Sequence, residues 1–186
     1  RRGLYKAFYE SMEKACVTFM DPFLYGRSIL ENSSFIVSSA HPDKGLHGQG
    51  NVARLSGSTA EFVHIWMIMN AGIAPFELAQ DNTLRLIFRP ILKAALFTKN
   101  KTNSLYRGIS GQWGGLELPP DTYAFNFMGR TLVVYYNPLR RDTFGDTKVE
   151  AERSVLYYSG SDKVHEISGG IIPAPYAADV RAGKIR

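Results

Sequence analysis

Apolar residues recur at helical spacing near the start of the chain. Leu4, Phe8, Met12, Ala15, Cys16 and Phe19 share one stripe, which predicts an amphipathic helix over Gly3 to Met20, stopped by Asp21-Pro22. A second helical stretch follows a long polar segment. Phe62, Ile65, Trp66, Ile68 and Met69 make it apolar nearly all round, so it is expected to be buried among more helices than this chain supplies. Ser58 and Glu61 stand in the S-x-x-E capping-box spacing, which predicts Ser58 as N-cap, a helix reaching about Ala71 and a stop at Gly72. After Pro75 the pattern turns from helical to alternating. Leu84, Leu86 and Phe88 alternate with Thr83, Arg85 and Ile87, and strands are predicted at Thr122 to Phe127, Thr131 to Tyr136, Val155 to Ser159 and Val164 to Ile167. Met128-Gly129 and Gly160 to Asp162 read as hairpin turns, and Asn100 to Gly115 as a long polar loop. An antiparallel β domain from about Ala79 onward is the result.

The segment between the two helices, Leu30 to Glu61, is polar and glycine-rich and runs directly into the second helix start. A helix start presents free backbone N–H groups and the positive end of the helix dipole, so an anion fits there. Arg54 precedes the predicted cap by four residues, and the Ser56 and Ser58 hydroxyls stand beside it. The same pattern has a purely structural reading, in which Ser58 and Glu61 satisfy the donors and Arg54 pairs with a neighbouring carboxylate. R-L-S-G-S-T lacks the G-x-x-x-x-G-K-[ST] spacing of a nucleotide-binding phosphate loop.

Composition narrows the class. With 186 residues, 45% of them hydrophobic and 12% aromatic, the chain has enough apolar side chains for a packed core. The net charge of +5 comes from scattered Lys and Arg, with short clusters only at Arg140-Arg141 and Lys99 to Lys101, so no nucleic-acid interface is expected. No apolar run reaches membrane-span length, and no signal peptide stands at the start, which sets a cytoplasmic protein as the expectation. The single cysteine, Cys16, reads as a packed thiol. The chain starts RRGLYKAF and ends AGKIR, and is read as the C-terminal part of a larger enzyme. His41, His47 and His165 show no metal-ligand spacing and His64 reads as a core histidine, so no metal is expected.

Two motifs carry a family resemblance. Glu31-Asn32-Ser33-Ser34 and Ser56-Gly57-Ser58-Thr59 stand in the order of the E-N-G-G and T-G-S-A segments of the inverting β-glucoside phosphorylases, the cellobiose, chitobiose and oligo-β-glucan phosphorylase group. LRLIFRPIL, TYAFNF and VVYYNP are similar to that family's C-terminal β domain, so the resemblance spans nearly the whole chain. It implies an α+β architecture: residues 1–78 would be the last helices and ligand loop of an (α/α)6 catalytic barrel, and residues 79–186 an antiparallel β-sandwich. The implied reaction is glycosyl transfer to inorganic phosphate, giving a sugar 1-phosphate, with phosphate as co-substrate and no cofactor. By resemblance, phosphate falls on Ser56 and Gly57, with Ser58 beside them and Arg54 added by position. Glu31 and Asn32 would hold substrate. The partners implied are a β-glucoside oligosaccharide or disaccharide and phosphate, with a homodimer left open and no nucleic acid or membrane.

The sequence departs from the family in two places. The family places a phosphate-binding histidine shortly after E-N-G-G, whereas this chain has Val37-Ser38-Ser39, so Ser38 or the loop histidine His47 would substitute. Ala40 to Asn51 is also longer than the short loop expected of a cellobiose phosphorylase, which points to a subgroup with another acceptor such as longer β-glucans. No residue here is nominated as general acid, since Asp43 reads as a turn residue and Glu61 as a cap; the acid is expected upstream. Two other readings stay open: an inverting glycoside hydrolase on the same barrel, and a non-catalytic carbohydrate-binding β module in which Trp113, Tyr123 and Tyr135 stack on sugars.

Overall fold

The computed structural model describes residues 3–15, 33–48, 50–53, 56–107 and 111–185. These form a mixed α/β protein whose sheets are antiparallel and whose helices are few. Two compact units, Arg1–Trp66 and Met67–Arg186, divide the chain. Among the described residues no helix is long and apolar enough to cross a membrane.

In the first unit, α1 (Tyr5–Ala15) occupies the described part of the predicted first helix; Cys16 and Phe19 lie outside the described residues. Its most buried side chain is Tyr9, packed edge-on against Phe8 at 5.1 Å, while Leu4 is exposed. The polar segment contains a hairpin that no alternating pattern announced. Strands β1 (Ser33–Ile36) and β2 (Gly50–Ala53) pair antiparallel, with Ser33 opposite Ala53 and Ile36 opposite Gly50.

Helix α2 (Ser56–Ala71) starts two residues before the predicted cap. Ser58 therefore lies within the first turn rather than at the N-cap, and the exposed Glu61 sits too far along the helix for the capping box. The C-terminal stop is as expected: Gly72 has φ +92° and its N–H donates to Ile68 O at 2.9 Å. The last turn of this helix belongs to the second unit, whose own residues take its remaining carbonyls. Ile91 N–H donates to Met69 O (2.7 Å), the Tyr135 hydroxyl to Asn70 O (2.7 Å) and Arg89 N–H to Ala71 O (3.1 Å). Val63, Ile65 and Met67 remain 44–52% exposed, in keeping with an apolar pattern that exceeds what one face can bury. His64 is exposed as well, which corrects its reading as a core histidine.

The second unit is antiparallel throughout. β3 (Phe76–Leu78), β4 (Leu84–Ile87) and β11 (Ile171–Ile172) form a sheet of order β11-β4-β3. β7 (Thr122–Phe127) and β8 (Thr131–Tyr136) form the predicted hairpin, turning through Met128 (φ +53°) and Gly129 (φ +69°). β9 (Arg153–Tyr157) and β10 (Val164–Ser168) form another, with β9 two residues earlier than predicted. The predicted loop from Asn100 to Gly115 is instead a hairpin of β5 (Thr102–Arg107) and β6 (Trp113–Leu118). Its strands are largely solvated on one face and contain two consecutive glycines, which removes the alternating apolar signal. A short α3 (Tyr176–Arg181) was hidden by the prolines before it, and it buries Ala177 and Val180. Those two side chains join Leu86, Phe125, Phe127, Leu156, Tyr158, Ile172 and Ile185 in the core. Phe88 packs edge-on against Phe127 at 5.1 Å and against Phe125 at 6.3 Å.

Candidate functional site

The hairpin register fixes which ends of its two strands adjoin. Because Ser33 pairs with Ala53, the described half of Glu31-Asn32-Ser33-Ser34 sits at the hairpin end from which the chain passes to Ser56. Cross-strand neighbours in such a pair lie about 5 Å apart, and the three residues from Ala53 to Ser56 span at most about 10 Å. Ser33 and the first turn of α2 are thus within about 15 Å of each other. That turn is Ser56-Gly57-Ser58, whose N–H groups have no intrahelical acceptor. Glu31, Asn32 and Arg54 lie outside the described residues.

Ser38 and His47 lie beyond the other end of the hairpin. Ile36 and Gly50 are three positions from Ser33 and Ala53, roughly 10 Å along the strands, and Ser38 and His47 lie further out. Both are engaged locally. The Ser38 hydroxyl accepts from Ala40 N–H at 3.1 Å, and His47 Nε2 donates to the His41 carbonyl at 2.7 Å. Asp43 accepts from Gly45 N–H at 2.9 Å and caps the short 3-10 turn Lys44–Leu46, as its turn reading anticipated. His41 Nδ1 accepts from Asp43 N–H at 3.1 Å, so the loop is closed by its own polar side chains. Among the described residues, no group of three His, Cys, Asp or Glu is arranged to hold a metal ion.

In the second unit the three aromatic residues of the binding-module reading part company. Tyr135 packs against Phe125 at 5.7 Å and against Phe88 at 6.2 Å, with its hydroxyl on Asn70 O. Burial, and then the proximity of Tyr123, push its phenol well above the usual tyrosine range. Tyr123 is half-buried against Phe97 at 6.2 Å, and burial raises its pKa against a hydrogen bond from Asn70 that lowers it. Both serve the core. Trp113 alone is open to solvent, at 67% exposure. Its neighbours on β5 and β6 were not singled out from the sequence, because only the pairing register shows which residues share its face.

No protein-family model matches this chain, and no curated protein sequence matches it significantly.

Proposed function

We propose that this chain belongs to an inverting β-glucoside phosphorylase, with α2 part of an (α/α)6 barrel, the second unit a β-sandwich, and the first turn of α2 the phosphate site. The observation that supports this reading is the pairing of Ser33 with Ala53, which brings the described half of the first family-like motif to the strand end that precedes, three residues on, the Ser56 start of the second. Phosphate there would accept hydrogen bonds from the Ser56, Gly57 and Ser58 amides in the favourable field of the helix dipole. Arg54, next to that turn in sequence, supplies a guanidinium able to grip two phosphate oxygens. Glu31 and Asn32 orient sugar hydroxyls. Ser38 and His47 are left out, since their polar atoms close the far end of the hairpin.

In the reaction a phosphate oxygen bonds to the anomeric carbon from the face opposite the leaving sugar as the glycosidic C–O bond breaks. A carboxylic acid gives its proton to the departing oxygen. Phosphate replaces both the water and the basic carboxylate of an inverting hydrolase, so the enzyme has to bind an anion. An anion site, rather than a second carboxylate, is what α2 offers.

Arg54→Ala in the intact enzyme tests this assignment. Charge-assisted hydrogen bonds contribute about 1.5 to 3 kcal/mol each, so the phosphate KM should rise about tenfold or more with little change in glucoside KM. Equal weakening for both substrates, or an unchanged phosphate KM in a stably folded variant, would return Arg54 to a structural ion pair.

A further inference from the structure

The β5–β6 hairpin carries two adjacent glycines inside a strand, and internal packing explains only one. A Cβ on Gly114 would lie 2.7 Å from the Tyr106 ring, so glycine is required for that ring to lie against the strand. A Cβ on Gly115 would meet nothing nearer than Leu105 Cδ2 at 4.0 Å. Glycine in a strand interior is destabilising by about 0.5–1 kcal/mol relative to alanine, and it commonly marks a place where a ligand approaches the backbone. The register places Gly115 opposite Leu105, with Trp113 two residues before it on the same face and Glu117 two residues after it. This face is solvated: Trp113 is 67% and Leu105 65% exposed, and Glu117 pairs with Lys101 at 2.9 Å at its polar end.

We infer that this face is a second carbohydrate-binding surface, taking a β-linked glucan chain outside the phosphate site. An all-equatorial β-glucose ring presents axial C–H groups on its flat faces and hydroxyls around its edge. Its apolar face matches the Trp113 indole, the bare backbone at Gly115 leaves a lane for the next rings, and Glu117 with Lys101 can meet hydroxyls about 13 Å along the strand. A second copy of the chain is a poorer occupant. Trp113 and Leu105 together offer on the order of 250 Å² of apolar surface, against about 800 Å² per partner in a stable interface. The choice of a β-glucan rests on the phosphorylase reading; the surface itself does not.

The test is affinity electrophoresis of the intact protein in gels with soluble mixed-linkage β-glucan, alongside Trp113→Ala, Trp113→Phe and Gly115→Val. The glucan should retard the wild type; Trp113→Ala and Gly115→Val should weaken binding about fivefold or more, and Trp113→Phe should retain most of it. Gly115→Val keeps the indole and blocks the lane, so it decides the matter if Trp113→Ala fails to fold. Absence of retardation in the wild type, equal retardation of all variants, or self-association in gel filtration that Trp113→Ala abolishes would each overturn the inference. Sugar 1-phosphate formation from a short glucoside is measured in parallel. Retardation through Trp113 without sugar 1-phosphate would overturn the phosphorylase reading and leave this surface standing, and the converse result would do the reverse.

Discussion

Replacing Tyr135 by phenylalanine removes one hydroxyl and leaves its ring where it packs, against Phe88 and Phe125. The hydroxyl donates at 2.7 Å to the carbonyl of Asn70, a residue with no solvent exposure in the last turn of α2. Helix geometry gives that carbonyl no intrahelical donor, and burial denies it water. The variant removes a hydrogen bond to a buried acceptor, which costs about 1 to 3 kcal/mol, while ring packing is conserved. A loss of about 2 kcal/mol by urea denaturation is expected, with a fall in Tm of about 8 °C. Tyr136→Phe is the control, because its side chain is 63% exposed on the opposite face of β8, and it should change stability by less than about 0.5 kcal/mol. Equal effects of the two substitutions, or a Tyr135→Phe loss below about 0.5 kcal/mol, would refute the idea that this hydroxyl caps the helix.

Two further outcomes follow from the same unit. Gly72→Ala forces a side chain onto a residue with φ +92°, and its Cβ would lie 3.1 Å from Arg89 Cβ and 3.2 Å from Arg89 O. It should destabilise by more than about 1 kcal/mol in thermal denaturation, and an alanine variant as stable as the wild type would contradict this. Tyr158 is buried and donates to Asp179 Oδ2 at 2.8 Å; burial first, then the bond and the charge of Asp179, push its pKa from 10 up to about 12. The raised value means that its contribution to stability is whole below pH 10 and is lost as pH rises through about 12. Tyr158→Phe should therefore show a shallower fall in stability between those values, and identical pH slopes would rule the linkage out.

The strands with clean alternation were legible in the sequence, and those without it were not. Thr122–Phe127 and Thr131–Tyr136 have the bounds their sequence predicts and turn through Met128-Gly129, with Phe125 and Phe127 buried in the core and Val134 and Tyr136 exposed. Thr102–Arg107 and Trp113–Leu118 bury little; their register is supported by the Tyr106 ring on Gly114 and the Lys101–Glu117 pair, contacts between residues far apart in sequence. Ser33–Ile36 and Gly50–Ala53 are four residues each and enclose a loop held by Ser38, Asp43 and His47, whose side-chain bonds replace the turn signals a short hairpin would show. The S-x-x-E spacing predicts a cap at Ser58, whereas Ser56 and Gly57 before it already belong to the helix. The motif residues around that start could be read from the chain; that Ser33 pairs with Ala53 needed the register.

Phosphorolysis and hydrolysis are separated by the products formed from a β-glucoside with and without inorganic phosphate. If the first turn of α2 holds the attacking phosphate, the intact enzyme releases sugar 1-phosphate of inverted anomeric configuration at a rate that saturates with phosphate, and stalls without it. Free glucose released at the same rate whether or not phosphate is present would contradict this, and would make the Ser56-Gly57-Ser58 turn an ordinary helix start.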